Sequence, residues 1–242
     1  MTTIDSLLEK GLKNVELKIK EDISDDVNKD LEIVKTQLYI AFWEDCKFAC
    51  WLMKQEKYQK HLLEFLRIIF EKLGKYYYLQ NDLNAKESAR KDVLCGIKTW
   101  YDLTLDPMQE EAKSRFEQLW DARKNNDFSG IDKFKRKTFR CDVTKRIYPR
   151  DEDLINGLDE RFLKQEDKGS FQLLFDTICH SVHGSYFTNI LICKNKLSVG
   201  ILNTFSLFLQ KCMEIMLKID KERKPTTEDC GSLRKPTSGA AG

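Results

Sequence analysis

His180 and His183 are the residues best suited to moving a proton near neutral pH, and two of the chain's three histidines therefore fall within four positions. A spacing of three places both rings on one side of a helix, where an imidazole can act as general acid or base. A core histidine with its hydrogen bonds satisfied is the competing reading for at least one of them. The pair does not make a metal site by itself. A di-iron bundle needs a Glu-x-x-His element on two helices, and a hydrolytic zinc site needs His-Glu-x-x-His; neither pattern occurs. Cys179 precedes His180 directly, but adjacent helical residues point about 100° apart and cannot form a nucleophile and base with each other. Cys46 and Cys50 lie one turn apart with no second close pair to complete a tetrahedral set, so they read as reduced core thiols. Phosphate-cradling glycine loops of the P-loop or dinucleotide kind are missing too. The expectation is a site without metal or cofactor.

Arg67 and Glu71 are the second constellation. They stand four apart in HLLEFLRIIFEKLGKYYYL and so share a helix face. Such a pair is either a surface contact of about 0.3–0.5 kcal/mol or, flanked as it is by Leu63, Leu66, Phe70 and Leu73, an inward-facing one. The third is a charge run, KFKRKTFRCDVTKRIYPR, in which Lys133, Lys135, Arg136, Lys137, Arg140, Lys145, Arg146 and Arg150 accompany the acid Asp142. These cations suit phosphate contacts. Asp151, Glu152 and Asp153 follow at once, so a solvated surface neutralised by its neighbours is the other reading.

The elements that must position these groups are helical. Four prolines in 242 residues leave long uninterrupted stretches. Ile4, Leu7, Leu8, Leu12, Val15 and Ile19 recur at steps of three and four. Ser24, Asp25 and Asp26 supply cap and first-turn charge for a long helix running toward Lys57, whose half FWEDCKFACWLM belongs near the bundle centre. Pro149 with the following acids, and Gly169-Ser170, mark two further helix starts. An amphipathic helix beginning near Ser198 closes the fold. The expected architecture is an all-α bundle of about six to eight helices, one domain over 1–224, with a disordered polar tail over 225–242. The formal net charge of +2 is too balanced to demand nucleic acid or an anionic membrane. Apolar runs fall short of a membrane span, and the amino terminus lacks a signal peptide's hydrophobic core, so a cytoplasmic location is expected.

FLRIIFEKLGKYYYL, with Arg67, Glu71 and Tyr78, and FDTICHSVHGS, with His183, together resemble a bacterial all-helical family, domain of unknown function 5677, often likened to HEPN domains. The likeness follows the helix order over roughly residues 30–220. Phe175 stands where that family often has tyrosine, and Cys179 where it often has serine. The resemblance implies a HEPN-like bundle in which Arg67, Glu71 and His183 converge as catalytic residues. HEPN-like ribonucleases carry an arginine shortly before the histidine on the same helix; residues 175–182 hold none, so Arg67 would supply it from another helix. The functional expectation is an RNA-binding or metal-independent RNA-cleaving protein of the toxin or phage-defence kind. The alternative is a non-catalytic helical module that binds a second copy or another protein through a register-fixing polar network. A third idea places a small ligand in the bundle interior near Trp43, Trp51 and Trp100.

Overall fold

The computed structural model describes residues 3–19, 29–103, 147–182 and 197–222, and isolated helical positions at 114, 118 and 121. Among the described residues the regular structure is helical throughout: α1 (Thr3–Ile19), α2 (Asp30–Lys54), α3 (Leu62–Asn81), α4 (Ala85–Leu103), α5 (Asp151–Phe162), α6 (Ser170–Val182) and α7 (Val199–Lys221), with 3-10 turns at Glu56–His61 and Gln165–Asp167. These seven helices make the all-α bundle that the apolar periodicity calls for. Residues 20–28 lie outside the described set, and with them Ser24, Asp25 and Asp26; the acids in the first turn of α2 are Asp30 and Glu32.

The centre of the bundle is α3, which packs on α2, α4, α5, α6 and α7. Its inner face, Leu62, Leu66, Ile69, Phe70, Leu73 and Tyr76, is fully buried, as are Tyr39, Phe42 and Trp43 of α2 and Met213 and Met216 of α7. Each such apolar side chain contributes about 1.5–3 kcal/mol relative to exposure. One core links α1, α2, α3, α5, α6 and α7, while Val34, Leu79, Ala85 and Ala89 form a satellite beneath α4. Two glycines set helix spacing. A Cβ at Gly11 would stand 2.2 Å from the Trp43 indole, so α1 lies flat on that ring because residue 11 has no side chain. A Cβ at Gly74 would meet the Leu154 Cβ at 2.9 Å, and its absence lets α5 approach α3 closely.

Buried and part-buried polar side chains tie the helices into register. The Tyr76 hydroxyl donates to Asp220 Oδ1 at 2.8 Å, Lys18 Nζ reaches the same oxygen at 3.0 Å, and Gln80 Nε2 donates to the Tyr76 oxygen at 3.4 Å. Asn14 donates to the Tyr39 hydroxyl at 3.2 Å, and the Lys18 ammonium stands 4.8 Å from the centre of that ring. Burial pushes the Tyr39 hydroxyl up to about 12. Asp159, near the end of α5, accepts the Phe171 and Gln172 amides at 3.1 Å each, and so caps α6 from another helix. That α6 begins at Ser170, after a left-handed Gly169 (φ 83°), agrees with the expected start. Trp43 and Trp51 do not share an interior pocket: Trp43 is sealed in the core, and Trp51, 43% exposed, faces outward because it is turned about 100° round α2 from the buried Cys50. Trp100 belongs to α4, with its side chain outside the described residues.

Candidate functional site

The site grows from the outer edge of α3. Arg67 and Glu71 follow each other by one turn, and the Arg67 Nε–H donates to Glu71 Oε1 at 2.8 Å. Their side chains are 30% and 22% exposed, midway between the surface and inward readings that the spacing left open. The hydrogen bond to Glu71 raises the guanidinium pKa further, so Arg67 is charged at every working pH. Glu71 takes the Nε–H. The two Nη groups are the edge of a guanidinium that suits a phosphate or carboxylate.

Close approach at Gly74 brings the first turn of α5 over this pair. Asp151, one turn before Leu154, enters the electrostatic field of Arg67, Glu71 and Lys75. A helix N-terminus normally favours a carboxylate, yet burial and the neighbouring Glu71 carboxylate raise the Asp151 pKa despite Lys75 and Arg67. The start of α5 is itself anchored, because the Tyr148 hydroxyl donates to Asp92 Oδ2 of α4 at 2.8 Å. Next in chain, Arg150 pairs with Asp153 at 3.7 Å on the exposed side of the turn.

The third wall is α6. Phe175 and Cys179, four apart, face Arg67, Pro149, Arg150, Asp151 and Glu152 across an open cleft of about 410 Å³. Burial raises the Cys179 thiol pKa against the lowering effect of Arg67, so at neutral pH it is a thiol and a poor nucleophile. The three helices thus converge on a cleft lined by two permanent cations, Arg67 and Arg150, two carboxyl groups, Asp151 and Glu152, and an uncharged sulfur. It can receive a group that accepts hydrogen bonds from a guanidinium and tolerates acidic neighbours, such as a phosphodiester partly shielded by its own cations.

Of the expected catalytic residues, Arg67 and Glu71 meet. His183 lies outside the described residues, as do Lys133, Lys135, Arg136, Lys137, Arg140, Lys145 and Arg146 and the side chain of His180. Asp151 and Cys179 line the cleft without a motif that marks them for it. Asp151 reads in sequence as a helix-start acid that offsets the basic run, and the clue to its other role was Gly74, whose missing side chain marks a helix crossing. No group of three potential metal ligands occurs among the described residues, and no described helix is long and apolar enough to cross a membrane. Set beside protein-family models, curated proteins and solved structures, the chain matches none.

Proposed function

We propose that the cleft between α3, α5 and α6 binds RNA and, with His183, cleaves it without a metal, as a cytoplasmic HEPN-like protein of the toxin or phage-defence kind. The observation that carries this reading is that Arg67 of α3 and Cys179 of α6 line one open cleft. The helix whose sequence leads on to His183 therefore faces the guanidinium. His183 stands four residues after Cys179 and eight after Phe175 in the sequence, the spacing of one helical face.

The chemistry follows from these groups. An RNA 2′-hydroxyl attacks the adjacent phosphorus while the His183 imidazole takes its proton. Arg67 stabilises the charge on the pentavalent phosphate, and the 5′-oxygen leaves with a proton returned from the imidazolium. The products are a 2′,3′-cyclic phosphate and a 5′-hydroxyl. Glu71 orients Arg67, and Lys133, Lys135, Arg136, Lys137, Arg140, Lys145 and Arg146 hold neighbouring phosphates. A second reading, a non-catalytic scaffold, is favoured by one specific observation: polar groups such as buried Asp159, which accepts the Phe171 and Gln172 amides, tie one helix to the next.

The experiment that separates them is incubation of labelled single-stranded RNA with the purified chain in chelator, beside His183→Ala and Arg67→Ala. Cleavage lost in both variants supports the catalytic reading; equal degradation by all three proteins, or none by any, removes it. Salt-dependent RNA binding that weakens on replacing Lys135, Arg136 and Lys137 retains a binding role without catalysis.

A further inference from the structure

The acids of the α3–α5–α6 cleft are the part of its lining that a phosphate does not explain. Phosphate oxygens accept hydrogen bonds, which suits Arg67 and Arg150. An ionised carboxylate also only accepts, so it opposes a phosphate and calls for a donor. Asp151 is the acid set into the wall: it is part-buried, whereas Glu152 is exposed. Among the described residues its carboxylate takes no hydrogen bond or ion pair, although Glu71, Lys75, Arg67 and Glu152 all bear on it electrostatically. Each nearby cation is turned elsewhere. Arg67 donates to Glu71, Arg150 pairs with Asp153 at 3.7 Å, and the Lys75 ammonium stands 5.5 Å from the centre of the Tyr148 ring. Burial without a donor raises the Asp151 pKa, and a ligand that supplies one relieves that cost.

The donors an RNA strand can offer narrow the choice. Single-stranded bases expose their Watson–Crick edges, and these edges differ in how they meet two adjacent acceptor oxygens. Guanine presents N1–H and N2–H side by side, a pair of parallel donors that matches one carboxylate. Adenine and cytosine present one amino group beside an unprotonated ring nitrogen, whose lone pair faces the second oxygen. Uracil presents a single N–H between two carbonyls. Stacking does not decide among them, because every base has a π-face. Phe175, only 4% exposed, gives the cleft an apolar floor rather than an open ring face. The cleft volume of about 410 Å³ lies within the usual range for small-ligand sites.

We propose that the cleft selects guanine, with Asp151 accepting the N1–H and N2–H of the base while Arg67 and Arg150 hold a phosphate joined to its ribose. This rests on the reading that the cleft takes RNA and adds the base that it takes. Calorimetric titration of the full chain with the 5′-monophosphates of guanosine, inosine, adenosine, cytidine and uridine tests it, since binding of a mononucleotide is read apart from any cleavage. Guanosine monophosphate binds at least about tenfold tighter than the adenosine, cytidine and uridine nucleotides, as a bidentate contact implies. Inosine monophosphate, which keeps N1–H and lacks the 2-amino group, falls between. Asp151→Asn replaces one acceptor with a donor, so the preference moves from guanosine to xanthosine monophosphate, whose 2-oxygen accepts from the new amide. Removing a negative charge helps every phosphate alike, so the ratio between nucleotides is the readout. Equal binding of all the nucleotides, binding of none, or a guanosine preference that survives in Asp151→Asn overturns the proposal. Selective guanosine binding by a chain that does not cut RNA upholds it and removes the cleavage reading; RNA cut at every base alike does the reverse.

Discussion

Two polar clusters on α3, little more than two turns apart, are built in opposite ways. At Tyr76 the partners come from different helices: Lys18 from α1, Asp220 from α7, and Tyr39 of α2 with its ring tilted against that of Tyr76, the centres 5.7 Å apart. The space left among them is about 10 Å³, room for about one water. At Arg67 the strong bond is to the next turn of the same helix, and the space beside it is about 410 Å³. A polar group partnered across helices fixes how those helices sit, and removing it exposes every other member. A group partnered within its own helix contributes little to the assembly of the fold, so its unused edge can address a ligand. The first cluster therefore reads as structural and the second as the place for chemistry.

That contrast breaks most visibly under truncation. Asp220→Ala leaves Lys18 and the buried Tyr76 hydroxyl without their shared acceptor at a part-buried crossing, and a loss of about 1–3 kcal/mol is expected. Glu71→Ala removes one half-exposed ion pair, for which about 0.3–0.5 kcal/mol is the usual scale. Urea unfolding of the two variants beside the wild type measures both. Equal losses would show that the two clusters serve the same purpose and would erase the distinction.

A smaller effect sharpens the same comparison by moving one wall of the cleft. Gly74→Ala drives a methyl group into Leu154 at 2.9 Å and forces α5 away from α3. Overpacking of this kind costs about 1–3 kcal/mol, and the better helix propensity of alanine returns about 1 kcal/mol, which leaves a net loss of about 1 kcal/mol. The displacement carries Asp151 away from Arg67, so ligand affinity in the cleft changes by more than the modest stability loss suggests. Parallel unfolding and RNA-binding titrations check this. Unchanged binding in a destabilised variant would mean that the α3–α5 approach does not shape the site.

Local rules account for what was legible beforehand. The i, i+4 spacing of Arg67 and Glu71 announced their contact, and Pro149 before an acidic triplet, Gly169-Ser170 and Ser198 announced the starts of α5, α6 and α7. Ser198 fulfils the role directly, its Oγ accepting the Ile201 amide at 3.3 Å. Contacts between distant segments were not legible, since periodicity says which face of a helix is buried but not which helix covers it. Tyr76 and Asp220 lie 144 positions apart. Asp159 caps a helix that begins well downstream of it. The composition of α2, apolar on several sides, places Trp51 in the interior, and composition alone does not distinguish its core face from the exposed one on which Trp51 sits. The cleft was half visible for the same reason. Its pair is local, but its other walls are brought in by the glycine-mediated crossing of α3 and α5 and by the packing of α6 on α3.

The smallest effect is a titration. Asp151 has its pKa raised by burial first and by Glu71 second, with Lys75 and Arg67 opposing and Glu152 adding to the rise. A carboxyl whose folded pKa exceeds its unfolded value binds more protons when folded across the interval between the two. Its contribution to stability is therefore fully present below the unfolded value and is lost as pH rises through the folded one. At neutral pH the ionised Asp151 is a slight burden on the fold, which Asp151→Asn removes while keeping the side chain's shape. The asparagine variant should be more stable than the wild type at neutral pH, and this advantage should disappear at a pH below the ordinary carboxylate range. Denaturant midpoints at those two conditions measure it. No comparable pH-dependent gap is expected for Gln80→Ala at the closed network, because an amide does not titrate there. A wild-type chain more stable than Asp151→Asn at neutral pH would instead show that Arg67 and Lys75 outweigh burial, and that the wall of the cleft facing a ligand is an ion pair rather than a reluctant acid.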